Sequence, residues 1–511
     1  MRRYLTPLSL SIGALLLAVL VTGCDLSEMN ENPNSPTTPD INALLANAHR
    51  DISNSYYDDN FTMRGSNLLA QYTTQNFYPE ESTYAALIKP WGVFYRPLND
   101  LAEVARQNRQ SDQLAQSPEN FIAVSQITQA WTFHVLTDYY GDIPFTDALQ
   151  GADNFSPAYT PQSEIYPALL DTLDTALSNI DTDAPGPSGD LIYGGDMEQW
   201  AKFANSLKLR IAMRMIDRDP EGDASAVLGD PSVYDAAMGS NADNAFFQFN
   251  TSAVHRSDVY ENQFVAGRDD FDASDRFVNA LTTQYSVMDP RAPVYFQEDT
   301  DGGFTGFPYG LQQPDAQSLY SANLPSSTFS RPGELFYRDD AEVYWMNYDE
   351  VLFIQAEAIE RGILGGDRDA VFADAIRANF ERWGLDGESA DADAYIAEVQ
   401  ADVSANGFEQ VLGEQKWISM YFQGVQGWSE WRRLDFEGWI QPPEGGNQGA
   451  YAVVGESAVP LRFDYPQSEF TVNGENVTAA ATNQFGDVQS ETPIQRLWWD
   501  TNDPPSDALV Q

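Results

Sequence analysis

One cysteine, Cys24, stands in a chain of 511 residues. No disulfide can close within the chain, and no cluster of thiolates can hold a metal. The fold must therefore be carried by a buried core, and a chain of this length is ample for one. Composition supplies the material: 42% of residues are hydrophobic and 13% aromatic. Acidic disordered chains lack that content.

The cysteine also has a revealing neighbourhood. Arg2 and Arg3 precede an almost wholly apolar run from Leu5 to Val21, which Val21-Thr22-Gly23-Cys24 closes with small residues. This is the pattern of a secretory signal, here of the kind cut just before a cysteine that receives lipid. Pro7, Ser9 and Ser11 shorten the apolar run below the roughly 20 residues a spanning helix needs. Residues 1–23 are read as signal peptide, with lipidation at Cys24. The segment up to Asp40 is polar, acidic and proline-rich. Residues 24–40 are thus a lipidated tether, with a reach of roughly 50 Å when extended. Residues 41–511 form the folded body.

Charge excludes one class of partner. Asp and Glu number 76 against 28 Lys and Arg, a formal net charge of −48. Neutralising the phosphates of a nucleic acid demands the opposite sign. A folded chain with this much self-repulsion suits a salty habitat, because salt shortens the screening length from about 10 Å at 0.1 M to about 3 Å at 1 M.

Apolar residues recur at helical spacing over most of the body. Ile127, Trp131 and Val135 fall on one face of a helix over 119–137. Ser163 is placed to cap a helix carrying Leu169, Leu170, Leu173, Leu177 and Ile180, with Pro167 near its start. Asp196 and Gln199 have capping-box spacing ahead of Trp200, Ala204, Leu207, Ile211 and Met215. Asn347 and Glu350 open a further helix that Gly362 closes, and Phe372, Ile376, Phe380 and Trp383 mark another that ends at Gly384. These last two helices, joined by a short glycine-rich link, make a unit of the tetratricopeptide type without a strict 34-residue repeat. Residues 219–345 and 434–511 lack such periodicity and are expected to be long loops with scattered short strands. Loops of that length are uncommon unless functional.

Catalytic patterns are hard to assemble. His49, His134 and His255 are isolated from one another, and no zinc, nucleophile-elbow, P-loop or dinucleotide motif occurs. His134, beside Trp131, Phe133 and Val135, reads as a core histidine. Asp181-Thr182-Asp183 and Asp299-Thr300-Asp301 lack the terminal Glu of a calcium loop. No metal and no cofactor are expected. What the irregular segments do carry is aromatic residues. Tyr72, Phe77, Tyr78, Tyr84, Trp91 and Tyr95 crowd one stretch; Tyr295, Phe296, Phe304, Phe307, Tyr309 and Tyr320 crowd another. Stiff amphipathic rings suit stacking on sugars or gripping a peptide. Tyr78, Trp91, Tyr309 and Tyr320 are the candidate ligand-binding residues.

Several blocks in order carry a family resemblance. They are Tyr139–Leu149 (YYGDIPFTDAL), Trp200–Arg210 (WAKFANSLKLR), Gln355–Ala358 with Arg361-Gly362, Trp431-Arg432-Arg433, Val459–Arg462 with Tyr465-Pro466 and Glu469, and Trp498-Trp499-Asp500. The chain resembles the SusD/RagB family of nutrient-binding outer-membrane lipoproteins. The resemblance implies a mainly α fold: a tetratricopeptide-like scaffold of helix pairs with long irregular loops and a few short strands. It implies no catalytic residues, a surface-exposed anchor in the outer membrane, and a TonB-dependent transporter of the SusC type as partner. A glycan or peptide would be the cargo. The matched blocks themselves look structural. The acidic residues Asp25, Glu28 and Glu31 resemble the family's surface-export signal. The competing expectation is a surface glycoside hydrolase or peptidase on the same scaffold, since two carboxylates suffice for glycoside hydrolysis; a purely structural envelope protein leaves the aromatic loops unexplained.

The charge generates a first prediction. Screening relieves like-charge repulsion, so the melting temperature is expected to rise between low salt and molar sodium chloride. A flat or falling melting temperature in a salt titration would contradict it.

Overall fold

A computed structural model describes residues 40–501, apart from 86, 88, 111–116, 324–327, 445, 447–456 and 487–494, together with 509–510. The leader, Cys24 and the acidic residues Asp25, Glu28 and Glu31 lie outside the described residues.

Two runs of helices build the scaffold. The first holds α1 (Ile41–Tyr56), α2 (Gly92–Gln110), α3 (Pro118–Tyr140), α4 (Gln162–Asn179) and α5 (Met197–Met215). The second holds α6 (Tyr348–Glu360), α7 (Arg368–Arg382), α8 (Ala390–Asn406), α9 (Phe408–Ser419) and α10 (Gly424–Leu434). Within each run every helix packs on the next, and α5 meets α6 where the runs join. The mainly helical, stacked-pair architecture expected from the sequence is what forms.

Local chemistry explains the helix ends. Asp40 accepts from the Asn42 amide at 2.9 Å and so opens α1 where the apolar periodicity begins. Asp196 accepts from the amides of Glu198 and Gln199 at the start of α5. Gly141 ends α3 at φ +86°, and a Cβ there would strike the Gln484 side chain.

Two caps differ from expectation. Ser163 sits inside the first turn of α4, whose cap position is Pro161, and no side chain caps it. Asn347 precedes α6 without a side-chain cap, and Glu350, which would return the second bond of a capping box, is committed elsewhere, to Arg210.

The stripes bury as the periodicity dictates. Trp200, Ala204, Leu207 and Ile211 are wholly buried, as are Ile127, Trp131 and Val135. Helix α3 is buried around nearly its whole circumference, which marks it as a central helix rather than an amphipathic one. Trp131 stacks on Trp345 with ring centroids 4.5 Å apart, and Trp345 donates to Ser53 at 3.1 Å. The segment 219–345 is less irregular than expected: it holds short helices at Asp223–Gly229, Asp275–Thr282 and Gln313–Asn323. Strands occur as two-stranded antiparallel pairs among the described residues. These are β1 (Thr73–Gln75) with β5 (Phe271–Ala273), β2 (Ile143–Pro144) with β3 (Tyr159–Thr160), β4 (Ala245–Gln248) with β6 (Glu342–Met346), and β7 (Ser457–Ala458) with β8 (Leu509–Val510).

Buried ion pairs stitch the two runs together. Arg210 of α5 donates to both oxygens of Glu350 at 2.6 and 2.5 Å. Arg433 of α10 makes a fork to Glu357 of α6 at 2.5 and 2.6 Å and also reaches Glu430 at 2.7 Å. Lys416 lies 2.6 Å from Glu430, Arg214 lies 3.2 Å from it, and Arg361 reaches Glu357 at 3.0 Å. Burial alone would push the Glu357 carboxyl up; Arg433, Lys416 and Arg361 outweigh it and hold it at about 2. Glu430 is likewise held well below the usual range against its burial.

Removing one partner of such a buried pair leaves the other uncompensated, at a cost of about 3–5 kcal/mol. Glu357→Gln is expected to lose about that much at pH 7 by denaturant unfolding. Because the folded-state value lies below the unfolded one, the stabilisation is present above pH ~4.5 and fades as pH falls toward 2. The gap between wild type and variant should therefore narrow across that window.

Candidate ligand-binding face

Exposure sorts the aromatic candidates. Trp91 is 4% exposed and enclosed by Tyr95, Tyr140, Tyr159 and Tyr465, with ring centroids 4.9–5.9 Å away. Tyr309 is 1% exposed; its hydroxyl donates to the Leu68 carbonyl at 2.6 Å and lies 3.0 Å from that of Tyr84, and Arg276 covers its ring. This corrects the expectation that aromatics without periodicity stand free in loops. Both rings are occupied in packing the irregular segments onto the scaffold.

Tyr78 and Tyr320 are different, and they are brought together. Both are partly exposed, and between them lies Phe77, which is 41% exposed. The Phe77 ring meets Tyr78 edge-on at 4.8 Å and Tyr320 at 5.9 Å. Phe77 lies in the aromatic stretch but outside the four candidates that the sequence offers. Its signal was faint: an apolar ring beside the polar run Thr73–Asn76.

The chain is held tightly beneath these rings. Strand β1 pairs with β5, Thr73 opposite Ala273. The Asn76 amide donates to the Asp270 carbonyl at 2.9 Å, and its side chain donates to Asp272 at 3.0 Å. Gln75 then ties the loop to itself. Its backbone donates to Ser82 at 2.7 Å, its side-chain nitrogen donates to Glu81 at 2.8 Å, and its side-chain oxygen accepts from the Tyr78 amide at 3.2 Å. Tyr84 closes the loop at φ +62°, a left-handed conformation that a bulky residue keeps only when its surroundings enforce it. Tyr320 arrives separately, on the helix Gln313–Asn323.

Charged groups edge the rings. The Arg268 guanidinium lies 5.2 Å over Tyr78 and pairs with Asp270 at 2.9 Å, while Arg331 pairs with Asp269. Sequence reasoning also missed Arg268. Burial raises the Asp272 carboxyl to about 7, against the lowering influence of Asn76 and Arg331. Burial and the neighbouring carboxylates of Asp269, Asp270 and Asp272 raise the Tyr320 hydroxyl. The face thus offers flat apolar rings bordered by paired hydrogen-bonding groups, an arrangement for stacking and edge recognition.

Of the other sequence candidates, His134 and His49 fall in the interior, while His255 is exposed. His134 is fully buried and held neutral, its pKa lowered to about 4 by burial. His49 is lowered similarly and accepts from the Leu191 amide at 3.2 Å. Asp299 accepts from the amides of Asp301 and Gly303, so it shapes its own turn. No group of metal-ligating side chains occurs among the described residues. Nor is any described helix long and apolar enough to cross a membrane.

No curated protein sequence matches the chain. Solved structures do, at the level of fold. A chitin-binding protein aligns with a TM-score of 0.72 at 20% identity, covering 91% of this chain and all of its own. A chitin-binding SusD homologue from Flavobacterium johnsoniae aligns with a TM-score of 0.70 at 23% identity, covering 90% of this chain and 99% of its own. A SusD homologue from Bacteroides uniformis aligns with a TM-score of 0.71 at 22% identity, with the same coverage. Residues 33–466 match the family model SusD-like, described as starch-binding and associating with the outer membrane. With most of its length inside that match, and with this helical scaffold, the chain belongs to the SusD-like family.

Proposed function

We propose that this protein captures a nutrient glycan outside the cell and passes it to a TonB-dependent transporter of the SusC type, performing no chemistry itself. The observation that carries this reading is the cluster of Phe77, Tyr78 and Tyr320 on one face, rings meeting edge-on and partly open to solvent. Sugar rings present patches of C–H to such surfaces and hydroxyls to their charged borders, here Arg268 and Asp269. Two of the structurally similar proteins are described as chitin-binding, which favours a glycan over a peptide. The neighbouring carboxylates Asp269 and Asp270 are engaged by Arg331 and Arg268, as suits holding a ligand rather than cleaving it.

Affinity for chito- and malto-oligosaccharides, measured by calorimetry beside a peptide library, tests the cargo. Phe77→Ala, Tyr78→Ala and Tyr320→Ala should each cost about 0.5–1.5 kcal/mol of binding with little change in melting temperature. Trp91→Ala should instead destabilise the fold by about 3–5 kcal/mol. Unchanged affinity in all three face variants, or release of new reducing ends on incubation, would defeat the reading.

The same proposal places a lipid anchor at Cys24, motivated by the Val21–Cys24 sequence. Acyl chains contribute about 0.8 kcal/mol per buried CH₂. Cys24→Ala should therefore abolish fatty-acid labelling and leave an uncleaved or mislocalised precursor; a variant that still partitions with membranes and carries label would exclude the anchor.

A further inference from the structure

The segments that carry the open rings bring no positive charge of their own. Residues 73–85, with Phe77 and Tyr78, hold Glu80 and Glu81 and neither Lys nor Arg. The helix Gln313–Asn323, with Tyr320, holds Asp315 and again no basic residue. Cations reach the face from two other segments only as members of pairs. Arg268, 5.2 Å over Tyr78, donates through Nε to Asp270 at 2.9 Å, and Arg331 pairs with Asp269. Asp269, Asp270 and Asp272 all act on the Tyr320 hydroxyl, and Arg331 opposes them.

Those pairs are anchored on the carboxylate side. The Gln263 side chain donates to Asp269 at 3.0 Å, and Asn76 binds the backbone carbonyls of Asp269 and Asp270 at 3.2 and 2.9 Å. Arg268 and Asp270 stand two positions apart in the chain, so their pair closes again whenever a rival anion opens it. The Asp270 side chain is 11% exposed. A ligand that took over its guanidinium would leave that carboxylate uncompensated where little water can reach it.

We infer that this border sets the class of cargo: the face admits glycans without acidic groups and turns away uronates and sulfate esters, with Asp269 and Asp270 as the specificity-determining residues. The inference rests on the capture reading of the face given above. A face built for acidic sugars would keep its guanidinium forks open, since Arg matches a carboxylate or sulfate with two parallel bonds. Here an acidic ring stacked on Phe77 or Tyr78 would bring its charge among Asp269, Asp270 and Glu81, while both guanidiniums are already matched. Uncharged hydroxyls and acetamido groups can bond to either member of a pair without separating it. The net charge of −48 adds a field that repels any polyanion, most strongly at low salt.

The test is calorimetry on the full protein at about 0.1 M salt, where charges act over about 10 Å. Chitohexaose and maltohexaose are the neutral probes and hexagalacturonate the acidic one. At least one neutral oligomer should bind about tenfold or more tightly than hexagalacturonate. Asp269→Asn with Asp270→Asn keeps the side-chain shapes and leaves both guanidiniums without a counter-charge. That variant should raise the affinity for hexagalacturonate relative to the neutral oligomers by about tenfold. Adding Arg268→Gln and Arg331→Gln should abolish the gain. Asp171→Asn with Glu409→Gln removes the same charge from exposed scaffold positions and should leave the ratio where it was. Hexagalacturonate binding to the unaltered protein at least as tightly as the neutral oligomers would overturn this inference and spare the capture face. So would a ratio unmoved by the Asp269 and Asp270 changes, or one moved equally by the scaffold changes, which would assign the discrimination to net charge. Binding of none of the three oligomers would overturn the capture face and this inference together.

Discussion

The pairing of Glu357 and Glu430 with Arg433, Lys416, Arg214 and Arg361 is the contact on which the arrangement of helices depends. It joins α5, α6, α9 and α10, and Arg214 extends it toward Asp138 of α3 at 3.5 Å. Taking these charges out of water is costly, and only mutual pairing with forked geometry offsets it. Each helix must therefore arrive in one register, because a shift of a single turn would strand a charge. Apolar stripes tolerate sliding far better. The ion network gives the stacked helices a definite alignment that hydrophobic burial alone does not impose.

This use of cations also bears on the surface. The chain has few basic residues, yet Arg210, Arg214, Arg291, Arg432, Arg433 and Lys416 are almost entirely buried. Arg432 lies 3.6 Å over Trp428 and donates to the carbonyls of Asp138 and Leu461. Carboxylates buried beside them, among them Glu350, Glu357, Glu430 and Asp289, match these cations, so the unbalanced negative charge of the chain lies with its other residues. Net charge of this size keeps copies apart in solution while opposing compaction.

On this scaffold the irregular segments are fixed rather than loose. Tyr72 donates to the Trp417 carbonyl at 2.6 Å, across a gap that exists because Gly427 has no side chain; a Cβ there would lie 1.9 Å from the Tyr72 hydroxyl. That contact seats the chain just before β1, and β1 in turn presents Phe77 and Tyr78. The rigidity of the proposed capture face thus descends from the helix packing. Binding on a preorganised face loses less freedom than binding on a mobile one.

Sequence alone determined the helical stripes, the start of α1 at Ile41, the cap at Asp196 and the closing glycines Gly362 and Gly384. These follow from local rules: side-chain period, cap chemistry and the need for positive φ. The family blocks were also legible, and the structure gives them a reason. Glu357 from one block bonds Arg433 from another and Arg361 from its own. Tertiary structure alone decided which aromatics are free. Trp91, Tyr309, Tyr78 and Tyr320 look alike along the chain, since none follows a period. Tyr309 is buried because its hydroxyl reaches Leu68, 241 residues away. Phe77 and Tyr320, far apart in sequence, meet in space. Glu350 had the spacing of a cap and instead neutralises Arg210, 140 residues distant. Periodicity reports the face a residue turns within its own element; whether an aperiodic residue is covered depends on partners hundreds of positions away, and no local pattern encodes them.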